Sequence, residues 1–171
     1  MIMITKEVQN QKPSVAKSIA KFFISVGLCL LVGFLAGYAT QTSVSTWYIT
    51  LQKPSFNPPN WLFAPVWTTL YFLMGLAFFL VWNKERNTPK RRTAMVFFLV
   101  QLVFNALWSV LFFMMKSPFW GLIDISILFI LIILTIFAFF RVSRLGGVLL
   151  IPYLLWVGFA SILNYAILIL N

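Results

Sequence analysis

Residues 117–140 read SPFWGLIDISILFILIILTIFAFF, and the only charged side chain in that run is Asp124. A helix needs roughly 20 predominantly apolar residues to cross the hydrocarbon core of a bilayer, so this run is long enough to span one by itself. Working outward, the runs 93–115 and 145–171 on either side carry no charge at all, and neither do 54–83 and 22–52 nearer the N-terminus. Five such runs in one chain predict an all-α fold: an integral membrane bundle of five transmembrane helices.

The charges between the runs sort by side. The N-terminal arm holds Lys6, Lys12, Lys17 and Lys21; the 84–92 turn holds Lys84, Arg86, Lys90, Arg91 and Arg92; the 141–146 turn holds Arg141 and Arg144. The alternate connections hold only Lys53 and Lys116, so eleven of the 13 basic residues fall on one side and two on the other. The positive-inside bias then places the N-terminus in the cytoplasm and the C-terminus outside. Lys17 and Lys21 ahead of a short apolar run ending Ala36-Gly37-Tyr38-Ala39 imitate a secretory signal. Its removal would leave four spans, with the remaining basic turns on their proper side only by coincidence. A retained first helix is the expectation.

Of the 171 residues, 61% are hydrophobic and 9% charged, which places the chain in the membrane class. Short turns leave no room for a second domain. Residues 1–17 are expected to form a basic cytoplasmic tail and 18–171 the membrane domain. In a soluble protein a net charge of +10 would point to nucleic acid. Here the cations cluster at helix ends on one side, so the expected partner is the anionic headgroup layer of the bilayer and no nucleic acid. Histidine is absent, there are three acidic residues, and the one cysteine, Cys29, lies inside the first span. Metal centres, paired-carboxylate hydrolysis and an intramolecular disulfide have no material to be built from, so no cofactor and no metal is expected.

The first helix is expected from Ser18 to Gln41. Its Gly33 and Gly37 form a GxxxG that lets two helix backbones approach closely, either within the chain or across a dimer seam. The loop of about 43–60 is longer than a turn needs and carries Trp47, Tyr48, Lys53, Pro54, Phe56, Pro58 and Pro59. Its prolines make it extended and stiff. Its aromatics fit a belt at the headgroup level or a lid over a cavity.

The second helix is expected to begin near Trp61, with Asn60 as N-cap and Pro65 in an early turn. Trp67 and Tyr71 then share a face. Gln101, Asn105 and Trp108 share one on the third helix, and buried amides in lipid must face protein or water. Trp120 and Asp124 lie one turn apart near the start of the fourth. An ionisable group within a span is a functional candidate, although a position near the helix N-terminus equally suits a solvated cap favoured by the macrodipole. The fifth carries Trp156, Ala160 and Leu163 or Asn164 along a face, and Pro152 is expected to kink it and free a carbonyl. With the predicted topology, polar and tryptophan residues from four helices converge in the outer half, beneath the proline-rich loop. Two readings stand at this point: a small-molecule pocket, or tryptophans filling the bundle while amides join helices.

The pattern Trp47-Tyr48-x-x-Leu51-x-Lys53-Pro54-Ser-Phe-x-Pro58-Pro59-x-Trp61-x-x-x-Pro65-Val-Trp67-Thr-x-Leu70-Tyr71-x-x-Met74-Gly75 resembles the TspO/translocator protein family, also called tryptophan-rich sensory proteins. So do Gln101-Leu-x-x-Asn105-x-x-Trp108, Trp120-x-x-x-Asp124 and Pro152-Tyr153-Leu-x-Trp156-x-x-Phe159-Ala160-x-x-Leu163-Asn164. The likeness runs in order through about 30–170. It implies a five-helix membrane bundle, often a homodimer, that binds porphyrins, sterols and benzodiazepine-type ligands in a cavity capped by the first loop. On this sequence it implicates Trp67, Trp156 and Ala160 as pocket wall, joined by Asn105, Trp108 and Leu163. It adds Trp120 and Asp124 from the fourth helix, Phe63 and Val66 beside the loop, and a lid of Trp47, Lys53, Pro54, Pro58 and Pro59. Animal members end in a cholesterol-recognition pattern with a basic residue after a tyrosine. Here Tyr165 is followed by no Lys or Arg, which suggests a bacterial-type member in a prokaryotic cell membrane.

The resemblance favours a sensor or carrier that holds a metal-free porphyrin, or a related hydrophobic small molecule, between tryptophan faces. Two other classes stand beside it. One is a light-dependent porphyrin-degrading enzyme, since photochemistry needs an oxidisable indole and no general base; Trp67 and Trp156 are its candidates. The other is a transporter of porphyrin or lipid, against which stand the lack of an inverted repeat and a single intramembrane charge.

Overall fold

The computed structural model describes residues 14–84 and 88–171. It contains six α-helices among these residues: α1 (Val15–Val44), α2 (Asn60–Trp82), α3 (Pro89–Ser109), α4 (Pro118–Phe140), α5 (Arg144–Val148) and α6 (Ile151–Leu170). A π-helical turn, Val110–Met114, extends α3, and a 3-10 turn, Tyr48–Thr50, interrupts the first loop. Five helical units are long and apolar enough to cross a membrane, the last of them made of α5 and α6 together. This is a multi-pass helical membrane bundle, as the charge-free runs predict. The first helix begins at Val15, within the segment read as tail. Most of that expected tail (1–13) lies outside the described residues, as do Glu85 and Arg86 of the second basic turn.

Local chemistry explains where the helices start. The side chains of Ser14, Thr88, Ser117 and Ser143 each accept a hydrogen bond from the backbone N–H three residues on, at 3.2–3.4 Å, so four helices open on a hydroxyl cap. Two expectations about caps and kinks are corrected. Pro59, not Asn60, occupies the N-cap position of α2, and no side chain caps it. Pro152 lies in the first turn of α6, where its missing N–H costs least, so it starts a helix where a kink was expected.

Apolar burial does not drive helices together in lipid, where packing and backbone approach do that work. Phe78 of α2 stacks on Phe98 of α3 at 4.7 Å between centroids, and Phe98 on Phe139 of α4 at 5.6 Å. Met74, Ile132 and Val157 close the same core. A close backbone approach joins α1 to α2: a Cβ on Gly75 would lie 2.7 Å from the Cα of Val26. A Cβ on Gly33 would lie closer still to the ring of Tyr71, whereas one on Gly37 would meet nothing within 4 Å among the described residues. The GxxxG therefore splits, with one glycine in an intrachain contact and the other facing open space.

Gly75→Ala tests this crossing. The added methyl meets backbone and not a mobile side chain, so the helices must part. A loss of about 1–3 kcal/mol, typical of overpacking, is expected in thermal or denaturant unfolding in detergent. Gly37→Ala is the matched control, with no measurable loss.

Candidate functional site

Beyond the contact of Gly33 with Tyr71, α1 and α2 diverge, and a cavity of about 410 Å³ fills the space they leave with α3 and α6. Hydrogen bonds tie its floor together. The Tyr71 hydroxyl donates to Asn105 Oδ1, Asn105 Nδ2 donates to the Tyr153 hydroxyl at 3.0 Å, and that hydroxyl donates to Gln101 Oε1 at 2.8 Å. Three helices are thereby fixed beneath the cavity by groups that, in lipid, have no bulk water as an alternative partner.

The walls are aromatic. Trp67 lies at 5.7 Å and 33° to Tyr71, Phe63 meets the edge of Trp156 at 6.0 Å, and Trp108 stacks on Phe112 at 5.3 Å. The Trp108 indole N–H donates to Asn164 Oδ1 at 3.1 Å, and Asn164 Nδ2 donates to the Pro118 carbonyl at 2.8 Å, which holds the ring in place. The indole nitrogen of Trp156 is buried and has no hydrogen-bond partner among the described residues.

The wall contains seven of the ten residues expected from the sequence to bind a ligand: Phe63, Trp67, Asn105, Trp108, Trp156, Ala160 and Leu163. Three others lie off it. Val66 packs against the central core, one residue and about 100° around α2 from Trp67. Trp120 is 51% exposed on the bundle surface. Asp124 is 3% exposed, with both oxygens unpaired among the described residues, yet no residue of α4 lines the cavity. The reason is architectural: α4 packs behind α3 and α6, which stand between it and the open space.

Sequence reasoning missed the contribution of α1, which supplies Gly33, Phe34, Gly37 and Thr40 without any tryptophan to mark it. It also missed Phe112 and Phe113. The π-turn gives helix three an extra residue in that turn and presents two consecutive phenylalanines to the same space. The Ser43 hydroxyl of α1 donates to the Phe113 carbonyl at 2.7 Å and pins this turn. Lys116, at φ 52°, adopts the left-handed conformation that ends the helix.

The first loop closes the end of the cavity through Tyr48, which lines it. Its hydroxyl donates to Asn57 Oδ1 at 3.0 Å, and Lys53 Nζ sits 4.7 Å from its ring centroid. Burial pushes the Tyr48 phenol up to about 12, so it remains a donor across the physiological range. Of the expected lid residues, Trp47 packs edge-on against Phe112, and Pro59 ends the loop as the α2 cap. Trp47, Lys53, Pro54, Pro58 and Pro59 are all absent from the cavity wall; the loop reaches the cavity through Tyr48. Asn171 bonds both the N–H and the carbonyl of Gln52, at 2.9 and 3.0 Å, and ties the loop to the end of α6.

Fold and cavity together define a five-span helical membrane protein with an aromatic internal site of small-molecule size. The chain belongs to the TspO/MBR family, whose model matches residues 25–170. It is 48% identical over 155 residues to the tryptophan-rich protein TspO of Chlorobaculum tepidum, covering 91% of this chain and 98% of that one. It is 40% identical to the tryptophan-rich sensory protein of Cereibacter sphaeroides, over 73% of this chain and 77% of that one. The translocator protein of Bos taurus is 36% identical, over 82% and 86% of the two chains.

Proposed function

We propose that this protein is a membrane receptor or carrier for tetrapyrroles, with a metal-free porphyrin as the ligand held between the faces of Trp67, Trp108 and Trp156. The observation that carries the reading is the cavity itself, with aromatic walls and a few fixed polar groups at Tyr71, Asn105 and the Trp156 N–H, which has no partner among the described residues. Flat π-systems gain from offset stacking and edge contacts on such walls, and a lone donor orients a ligand that carries an acceptor. Titration of the purified protein in nanodiscs with protoporphyrin IX tests it through tryptophan quenching. Saturable, one-site quenching is expected; strictly linear, non-saturable quenching would refute the reading.

A second reading rests on the same indoles. Trp67 and Trp156 both face the cavity, and an excited porphyrin beside an oxidisable ring, with oxygen as oxidant, is a photochemical arrangement. It makes the protein a slow light-dependent porphyrin-degrading enzyme.

The proposed orientation puts the basic ends in the cytoplasm of a prokaryotic cell and the Tyr48 loop outside. Single cysteines at Ser55 and Thr88 report it, because native Cys29 is buried and silent. An impermeant thiol reagent applied to intact cells is expected to label Ser55→Cys and spare Thr88→Cys. The reverse pattern would invert the topology.

A further inference from the structure

The cavity wall is sealed on one side and open on the other. Most of the residues that α3, its π-turn and α6 contribute are closed off from the surroundings: Asn105 and Phe112 are 2% exposed, Asn164 and Ile167 1%, while Trp108 and Trp156 are half-buried. On the side formed by α1 and α2, Ala36 and Tyr71 are buried but many of the lining residues are not. Phe34 is 72% exposed and Leu30 38%, and Gly37, Ala64 and Thr68 are also exposed. The two helices touch where Val26 meets Gly75 and Gly33 meets Tyr71, then part, leaving clear space at Gly37. What separates them is a lateral slot.

Its depth decides what it faces. Phe34 lies ten residues (34 to 44) below the loop end of α1. At 1.5 Å per residue that is about 15 Å, close to the middle of a hydrocarbon core about 30 Å thick. At the loop end, where Gln41 and Asn60 line the cavity and are exposed, the route from water is roofed only in part. Tyr48 is buried under a loop fastened by its own bond to Asn57 and by the paired bonds of Asn171 to Gln52. The slot itself presents no charged side chain, so nothing at its edges repels an apolar molecule.

We infer that the cavity is entered sideways from the bilayer, through the slot between α1 and α2, and that lipid acyl chains are themselves ligands of it. The inference deepens the small-molecule reading by naming the phase that delivers the ligand. Its test uses no porphyrin, so the two stand or fall separately.

The protein is reconstituted in nanodiscs containing a phospholipid with a diazirine midway along one acyl chain, illuminated, and mapped at residue level by mass spectrometry. A carbene inserts only into what it touches. Adducts are expected on Leu163 and Ile167, cavity-wall residues that are 5% and 1% exposed. Val157 is 0% exposed and lies off the cavity, so it is expected to stay unlabelled. Gly37→Leu has room for its side chain and plugs the slot; it is expected to cut the Leu163 and Ile167 adducts at least fivefold while adducts on outward-facing Ile162 persist. Ala64→Leu repeats the test from the opposite edge should Gly37→Leu fail to fold. Adducts confined to outward-facing residues overturn the inference, as does cavity labelling that both plugs leave unchanged.

Discussion

Ala160→Phe is expected to abolish porphyrin binding while the five-span bundle still assembles. Ala160 lies one turn beyond Trp156 on α6, and both line the cavity. Ala160 is buried where the central core borders the cavity, so the new ring has open volume on one side and the loss of stability is expected within the usual overpacking range of about 1–3 kcal/mol. Ligand affinity is affected differently. A benzyl group in a cavity of about 410 Å³ takes the space between the Trp67 and Trp156 faces that a macrocycle needs. A fall of at least about 100-fold in affinity, roughly 2.7 kcal/mol, is expected in the protoporphyrin titration. Ala160→Ser, which keeps the volume small, is expected to bind as wild type does. Unchanged affinity in well-folded Ala160→Phe would place the ligand elsewhere.

The contrast between Ala160 and Asp124 shows what a sequence can disclose about such a site. Helical spacing puts Trp67 with Tyr71, Asn105 with Trp108, and Trp156 with Ala160, because residues three or four apart must share a face. All six line the cavity. Spacing also puts Trp120 with Asp124, but which face of which helix meets the cavity is a property of the bundle. Helix α4 packs against the backs of α3 and α6, a long-range arrangement that no local period encodes. The five spans themselves are legible for a simpler reason. A membrane imposes a length and a composition on every crossing segment, and those are local quantities. Two features had no local signal. The slot depends on the angle at which α1 leaves α2 beyond Gly33, and Gly37 looks identical in the sequence whether it faces a helix or open space. The π-turn at 110–114 is one residue of surplus in a helix, and the run VLFFM gives no sign of it. Pro152 misled because a proline within a long apolar run implies a kink only if the helix began before it, and α6 begins at Ile151.

Replacing Trp67 or Trp156 with phenylalanine separates binder from photochemical enzyme. Phenylalanine keeps an aromatic face, so a wall function survives it in large part. Loss of the larger ring and, at Trp156, of an indole N–H that has no partner among the described residues is expected to weaken porphyrin binding only several-fold. Oxidation is a different matter, because benzene rings give up an electron far less readily than indoles, and no rearrangement of the wall compensates for that. The measurement is illumination of wild type and both variants in air at matched porphyrin occupancy, followed by absorbance and mass analysis of the pigment. If the indoles only bind, porphyrin bleaches at the same slow rate in all three proteins and gives the same mixture as free pigment. If they take part in electron transfer, wild type converts bound porphyrin to a defined product and each variant loses that conversion while keeping its ligand. The first outcome is the expected one. The floor of the cavity holds a neutral tyrosine–amide–tyrosine chain with no carboxylate or imidazole lining the site to take up protons from an oxidised intermediate. A product formed by wild type alone would reverse the order of the two readings and make Trp67 and Trp156 catalytic residues.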